Sequence, residues 1–561
     1  MDSLWAQQSA QNPQFSEPGL SERSLRQSQP FYQPPLEEQA PEIVVPDSRK
    51  PVDPQKGPKF FVKKIAVEGS TLFPKEELEA LVKLDEKGKE ITFGLLLLLA
   101  QELTSYYVSQ GYFLSRAYVP AQKLQDGIVK INIAEGKINN IQVTGNKSLD
   151  SEEIANRMTR VKEEGILREQ TLERTLLELN DLMGVTVKSL LKPGELPGTS
   201  DLVLEVKESP AYSFAFDMDN FGSEFTGRVH YNFSASAGNL LKLGDQFSLR
   251  VIQSDFTQSL VAPSFLYPIN NYGTTVKFSY SHSKQSLGKG RNIIPLEIKG
   301  SSDSYVFEVN HPLYRSRLGQ LNLKAGYSMR ESRNFRLGSI DSRDNLRGIH
   351  VSLGGNYTDR FLGRTFAELR FNQGVSESNE NLNLASRIDA RGDVFRAKLN
   401  FTRFQGTGVL GSYFIIKGNG QISGSRVLSS NLFSIGGFGT VRGFPISEYS
   451  GSNGYSVGLE YVLPFPSNAP VAKGEKLKWK DFLSFNAFIE GGRIQILDQV
   501  PDDLNRAISG GGFGMKMNIP KTKPWGPSYN FALSFGIPFQ GPPPTDGTSG
   551  ILYASGGINY Y

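Results

Sequence analysis

The sequence predicts a membrane β-barrel of 16 antiparallel strands preceded by two small α/β domains of the order β-α-α-β-β. Three observations predict it. Helical periodicity ends near Ala211, sixteen alternating segments fill residues 211–561, and the connections between them alternate between long polar stretches and tight turns.

Composition narrows the class. At 561 residues the chain is too long for one ordinary core, so several domains are expected. Cysteine is absent, which excludes disulfide frameworks and thiolate metal sites. A net charge of +4 is too near balance to argue for nucleic acid as a partner. The most apolar run, Phe93 to Ala100, is far shorter than the roughly 20 residues a membrane helix needs. Residues 1–25 lack a basic start and an apolar core, so no signal peptide is visible in them.

Residues 1–58 hold ten prolines and nine glutamines with little apolar periodicity. Such a segment buries too little surface to offset chain entropy and reads as a linker, with a short helix over residues 3–10 that could plug a pore. From Lys59 the texture becomes compact. A strand reads Phe61 to Val67, a helix starts near Pro74, and a second runs from Leu95 to Gln110 with an i, i+3, i+4 apolar stripe closed by Gly111. Strands follow around Ala117–Val119 and over Gly127–Ala134. The order then repeats: strand Ile138–Val143, helices Ser151–Arg160 and Gln170–Met183, strands Val185–Leu190 and Asp201–Val206. We read this as two domains, 59–136 and 137–208.

The barrel is expected over 209–561. Phe531, Leu533, Phe535 and Ile537 interleave with Asn530, Ala532, Ser534 and Gly536, and similar rows recur throughout, each with one apolar and one polar face. Connections near 284–303, 331–346, 375–392, 424–454 and 491–509 are long; those near 268–273, 314–318 and 359–363 are short. Long loops on one side and tight turns on the other are the outer-membrane pattern. The stretch 464–481 is long where a short turn is expected. An even strand count puts the two domains and the C-terminus on the same side.

Enzyme signals are weak. Gly454-Tyr455-Ser456-Val457-Gly458 matches a hydrolase nucleophile pattern, but all four histidines lie upstream of Ser456 and the match sits in an alternating strand. No phosphate loop or metal motif is present, so neither cofactor nor metal is expected. The connection 424–454 differs from an ordinary loop: Ile435-Gly436-Gly437-Phe438-Gly439-Thr440-Val441-Arg442-Gly443-Phe444 is dense in apolar residues and glycine. It reads as a segment folded back into the lumen. Strand parity over Leu483–Glu490 puts Ser484, Asn486, Phe488 and Glu490 on the inner face, making Glu490 a partner for Arg442. The residues alone leave an exposed loop arginine equally open.

From residue 59 onward the chain resembles a TpsB transporter, the two-partner secretion branch of the outer-membrane protein 85 superfamily. The repeats resemble polypeptide-transport-associated (POTRA) domains. The first carries the branch's pattern as Gly111-Tyr112-Phe113-Leu114-Ser115-Arg116-Ala117-Tyr118-Val119-Pro120-Ala121-Gln122 and closes on Glu135-Gly136. Asp219-Asn220-Phe221-Gly222 resembles the opening hairpin of the barrel. Val441-Arg442-Gly443-Phe444 matches the superfamily's loop signature, and Phe488-Ile489-Glu490-Gly491-Gly492 its thirteenth-strand motif. The family holds the signature arginine with an acid at that strand position, usually aspartate. Here it is glutamate, one methylene longer, which leaves open how closely the pair sits. The resemblance implies a monomeric transporter in the outer membrane, in contact with its lipid, with POTRA domains in the periplasm. There they receive an unfolded exoprotein through its N-terminal secretion domain, and the barrel exports it without ATP. The alternative within the superfamily is an insertase for other barrels.

Overall fold

Unpaired backbone groups in hydrocarbon cost several kcal/mol each, so a sheet that spans a bilayer must close on itself. In a computed structural model describing residues 43–44, 53–84, 88–124, 126–196, 198–255, 257–287, 297–375, 384–471, 477–497, 504–521 and 526–560, sixteen antiparallel strands form a closed barrel. The first strand (Tyr212–Asp219) pairs with the sixteenth (Ile551–Tyr560) to complete the ring. The helix expected over 3–10 lies outside the described residues. Phe214, Phe216 and Met218 on the first strand, and Phe531 and Leu533 on the fifteenth (Pro527–Gln540), face outward and are exposed. Asn530, Ala532 and Ser534 of the fifteenth are buried on the inner side.

Two expected connections differ from the sequence reading. Residues 331–346 are not a loop. The seventh strand (Gly319–Arg336) and the eighth (Ser339–Thr358) continue through them as a hairpin closed by Leu337-Gly338. Its polarity marks departure from hydrocarbon rather than the end of pairing, and Glu331 holds Arg343 across it and Arg333 on its own strand, each at 2.8 Å. The odd stretch 464–481 folds on itself: Val471 N–H donates to Leu477 O, and a short helix, Trp479–Phe482, follows. Trp479 packs against Phe465 and Phe482, each 5.6 Å away, an aromatic cluster suited to a membrane–water boundary.

Ahead of the barrel lie two similar units. The first contains β2 (Lys59–Val62), β3 (Lys64–Glu68), α1 (Lys75–Leu81), β4 (Lys89–Thr92), α2 (Phe93–Ser109), β5 (Arg116–Tyr118) and β6 (Ile128–Ala134). The second contains β7 (Lys137–Thr144), α3 (Ser151–Asn156), α4 (Thr159–Glu163), α5 (Glu169–Asn180), β8 (Val185–Pro193) and β9 (Thr199–Glu208). A short strand β1 (Ile43–Val44), inside the segment read as linker, pairs in parallel with β8. The strand expected over Phe61–Val67 is split at Lys63. β2 pairs with β4, whereas β3 joins the main sheet beside β6. The helix expected over Ser151–Arg160 is likewise two pieces, α3 and α4.

The repeat shows in equivalent residues. β3 pairs in parallel with β6 as β7 does with β9. A Cβ on Gly69 would meet Ile133 O at 2.5 Å, and one on Gly145 would meet Val206 O at 2.5 Å. The Glu135 carboxylate accepts the N–H groups of Thr71 and Leu72, and Glu208 accepts those of Lys147, Ser148 and Leu149. The units interlock, because Phe113 and Leu114 of the first pack into the core of the second.

The second unit rests on three successive turns of the barrel. Arg157 Nη2 donates to Leu243 O at 2.6 Å, Arg160 Nη2 to Tyr272 O at 2.7 Å, and at the third turn Glu173 Oε1 accepts the Arg317 N–H at 2.8 Å, with Arg174 Nη2 reaching Pro312 O of the sixth strand at 2.6 Å. Arg315 answers with two bonds to the Asp181 carboxylate, 2.7 and 3.0 Å. Burial resists ionisation of Glu208, but the N–H groups of Lys147, Leu149 and Ser148 outweigh it and hold its carboxyl below the usual glutamate range. That contribution is present above the unfolded glutamate pKa of about 4.3 and is lost as pH falls through the lowered folded-state value. Glu208→Gln should loosen the turn by about 1 kcal/mol. Faster amide exchange at Lys147–Leu149 at pH 7, and a flatter dependence on acid, would show it; unchanged exchange would contradict it.

Candidate functional site: the inward loop

The eleventh strand (Tyr413–Ser423) and the twelfth (Asn453–Pro464) are joined by a loop that turns into the lumen. A two-stranded ribbon, Phe433–Ile435 with Tyr449–Gly451, shapes it. Ile435, Val441 and Phe444 are buried with Ile494 and Ile508 of the wall, so apolar packing seats the loop. The wall makes room for it with glycine. A Cβ on Gly510 would meet Arg442 O at 2.2 Å, and one on Gly536 would meet Gly443 N at 2.7 Å. Gly443 has φ +97°, and a Cβ there would meet Ile537 C at 2.6 Å, so only glycine fits.

Arg442 is 2% exposed and is held from several directions. Its Nε and Nη2 donate to Glu490 Oε1 at 3.0 and 2.6 Å, and its main-chain N–H donates to Glu490 Oε2 at 2.8 Å. Glu490, on the thirteenth strand (Leu483–Gln495), thus grips both side chain and backbone. Nη2 also donates to Glu460 Oε2 at 2.8 Å, and Glu460 Oε1 accepts from Lys516 Nζ at 2.8 Å. The guanidinium carbon lies 3.3 Å from the centre of the Phe488 ring. Lys417 sits opposite Gly458 on the neighbouring strand and interacts with both carboxylates. Pairing of this kind is required, since an unpaired charge removed from water costs several kcal/mol.

The loop also ties the two strands that close the barrel. Tyr553 of the sixteenth strand accepts the Gly443 N–H at 3.2 Å and donates to Phe444 O at 3.3 Å. Phe221, just past the first strand, stacks on Phe438 of the loop at 3.9 Å and 11°.

The structure thus brings Val441, Arg442, Gly443, Phe444, Phe488 and Glu490 together. Gly491 is not part of this contact: a Cβ there would come no closer than 3.7 Å to any neighbour. The close approach falls on Gly492, where a Cβ would meet Ile435 Cγ2 at 2.9 Å. Glu460, Lys516 and Tyr553 were not singled out by the sequence reading, and Phe221 and Phe438 were quoted there only as members of their motifs. For Glu460 the signal was available, because it shares the inner-face parity of Ser456 and Gly458. Ser456 itself is a buried wall residue, 3.4 Å from Asn419 Nδ2.

The motif of the first unit lies elsewhere and is architectural. Gly111 O accepts the Glu169 N–H, and the Tyr112 hydroxyl accepts from Arg168 Nε at 3.0 Å, joining the units. Arg116 Nη1 donates to Phe113 O at 3.1 Å. Gln122 both donates to Lys130 O and accepts its N–H at 2.8 Å, extending the ladder past β5 where Pro120 ends it. Tyr118 is exposed.

A sixteen-stranded barrel with an arginine-anchored loop in its lumen, standing on two α/β units, defines a class of outer-membrane transporter. The chain belongs to the haemolysin secretion/activation protein family ShlB/FhaC/HecB, whose profile matches residues 198–516, with a ShlB-type POTRA domain at 60–136. It is an outer-membrane transporter of a two-partner secretion system, a transporter family rather than an enzyme class, and its cargo is a partner exoprotein. It is 24% identical over 406 residues to the heme/hemopexin transporter protein HuxB of Haemophilus influenzae (strain 86-028NP), covering 70% of each chain. It is 26% identical to the outer membrane transporter CdiB of Escherichia coli O6:K15:H31, covering 75% of this chain and 71% of that one. The fold is similar to that of CdiB from Escherichia coli, with TM-score 0.70, 20% identity and coverage of 91% and 92%. BamA from Haemophilus ducreyi scores lower, with TM-score 0.52 at 16% identity over 89% of this chain and all of that one.

Losing Glu490 strips Arg442 of three bonds, whereas losing Glu460 removes one and leaves Lys516 near water. Glu490→Ala should therefore weaken the loop's seat by about 3–5 kcal/mol and Glu460→Gln by less. Amide exchange over residues 436–447 in detergent measures this, and an equal effect of the two substitutions would refute the ranking.

Proposed function

We infer that the arginine contact controls the conformation in which the transporter admits its cargo. An unfolded exoprotein docks by its N-terminal secretion domain on the two POTRA units, whose strand edges suit extended chain. Tyr118 and Ile128, exposed apolar residues on β5 and at the start of β6, line such a surface. Cargo then enters a lumen walled by small polar side chains that do not grip it. With no nucleotide motif in the sequence, direction comes from the cargo folding outside. The loop occupies the lumen at rest, so passage requires its displacement.

The observation that carries this reading is the doubly held Arg442. Two carboxylates on adjacent strands, one guanidinium and the Lys516 amine form a contact that is stable when complete and costly when half-made. Such an element has two settled arrangements rather than a continuum. An insertase is the weaker reading, because the fold matches CdiB more closely than BamA.

Arg442→Ala should cut export of a co-expressed partner exoprotein into the medium by about tenfold or more, the effect of roughly 1.4 kcal/mol in a coupled step. Heat-modifiable gel mobility of the barrel should stay normal. Wild-type export by a correctly inserted variant would sink the proposed role.

A further inference from the structure

The outward surface beside the closing seam is not smooth. Strand sixteen presents Ala554 and Gly556 to the membrane side, where its neighbours present large side chains. On one flank stand Phe531 and Leu533, directly opposite Gly556 and Ala554 in the ladder. On the other stands Met218, also opposite Gly556. Beyond Met218 the outward row of the first strand stops, because Asn220 turns its amide into the ladder. Its Nδ2 donates to Leu552 O at 2.8 Å and its Oδ1 accepts the Ala554 N–H at 2.7 Å. The result is a furrow of about 400 Å³, closed at the far flank by Met515 and Met517. Three of the chain's seven methionines line it.

We propose that this furrow binds one acyl chain of a membrane lipid. Met218, Phe531 and Leu533 belong to the same exposed outer rows as the rest of the lipid-facing surface, so hydrocarbon is what meets them. The volume lies within the roughly 300–1,000 Å³ of ligand pockets. Unbranched, polarizable methionines adapt to a linear alkyl chain better than branched residues do. Gly556 and Ala554 form a low floor with nothing larger than a methyl group, and the Phe531 ring leans over it at Gly556, where a Cβ would meet its Cδ1 at 2.9 Å. The ladder beneath is the shortest of the barrel: six residue pairs join strands one and sixteen among the described residues, against eight or more in every other barrel ladder. A seated chain covers that seam with hydrocarbon.

The full chain would be reconstituted in phosphatidylcholine vesicles in which one acyl chain carries a diazirine, then illuminated, digested and mapped. Adducts on Leu533 should exceed those on Leu353 and Leu369, exposed leucines of the opposite wall, several-fold. Met218 should be labelled with it. Filling the floor by Ala554→Leu, or by Gly556→Leu as a second variant, should bring Leu533 down to the level of the opposite leucines, with heat-modifiable mobility confirming the fold. Even labelling of both walls in the unaltered chain means ordinary surrounding lipid only and overturns the proposal. Labelling that survives in the correctly folded filled variants does the same.

Discussion

A guanidinium that is 2% exposed inside a membrane barrel must be neutralised where it stands, and that requirement organises much of the lumen. Arg442 meets it with Glu490 and Glu460 from adjacent strands, and Lys516 shares the second acid. The loop cannot be placed by charge alone, since guanidinium geometry fixes an end but not a path. The path is set by glycines in the wall and by Val441 and Phe444 in an apolar pocket. Charge supplies the anchor and packing supplies the route.

Much of this was legible beforehand because strand parity is unforgiving. A one-residue shift moves an entire row to the other face, so a wholly apolar row over Leu483–Ile489 puts Glu490 inside. The density of glycine and apolar residues in 424–454 likewise argued against a loop waving in water. The bonds from Glu490 to both the guanidinium and the main-chain N–H of Arg442 were not legible. Neither was the stack of Phe221 on Phe438, which joins segments about two hundred residues apart through tertiary placement alone.

Other differences have a common cause, which is that polarity reports the solvent and not the backbone. Residues 331–346 are polar because they leave the bilayer, yet their N–H and C=O groups still pair across a hairpin. Phe61–Val67 looks continuous because both halves are half-buried. It breaks at Lys63, where Gly127 O takes the N–H groups of Lys63 and Lys64 and hands the chain from one sheet to another. Composition carries no mark of such a handover.

The attachments divide the molecule unevenly. The second α/β unit is fastened to the turns around 243, 272 and 317, which join strands two to three, four to five and six to seven. The inner part of the loop is fastened to strands twelve to sixteen and, through Phe221, to the end of strand one, while its first part packs Leu428 against Leu346 of strand eight. The two sets of contacts share no strand. The arginine contact and the footing of the second unit therefore lie on different strands of the barrel. The seam between strands one and sixteen lies between the loop's contacts with Tyr553 and Phe221. A transporter that must admit a chain without losing its grip on the domains that deliver it needs that separation.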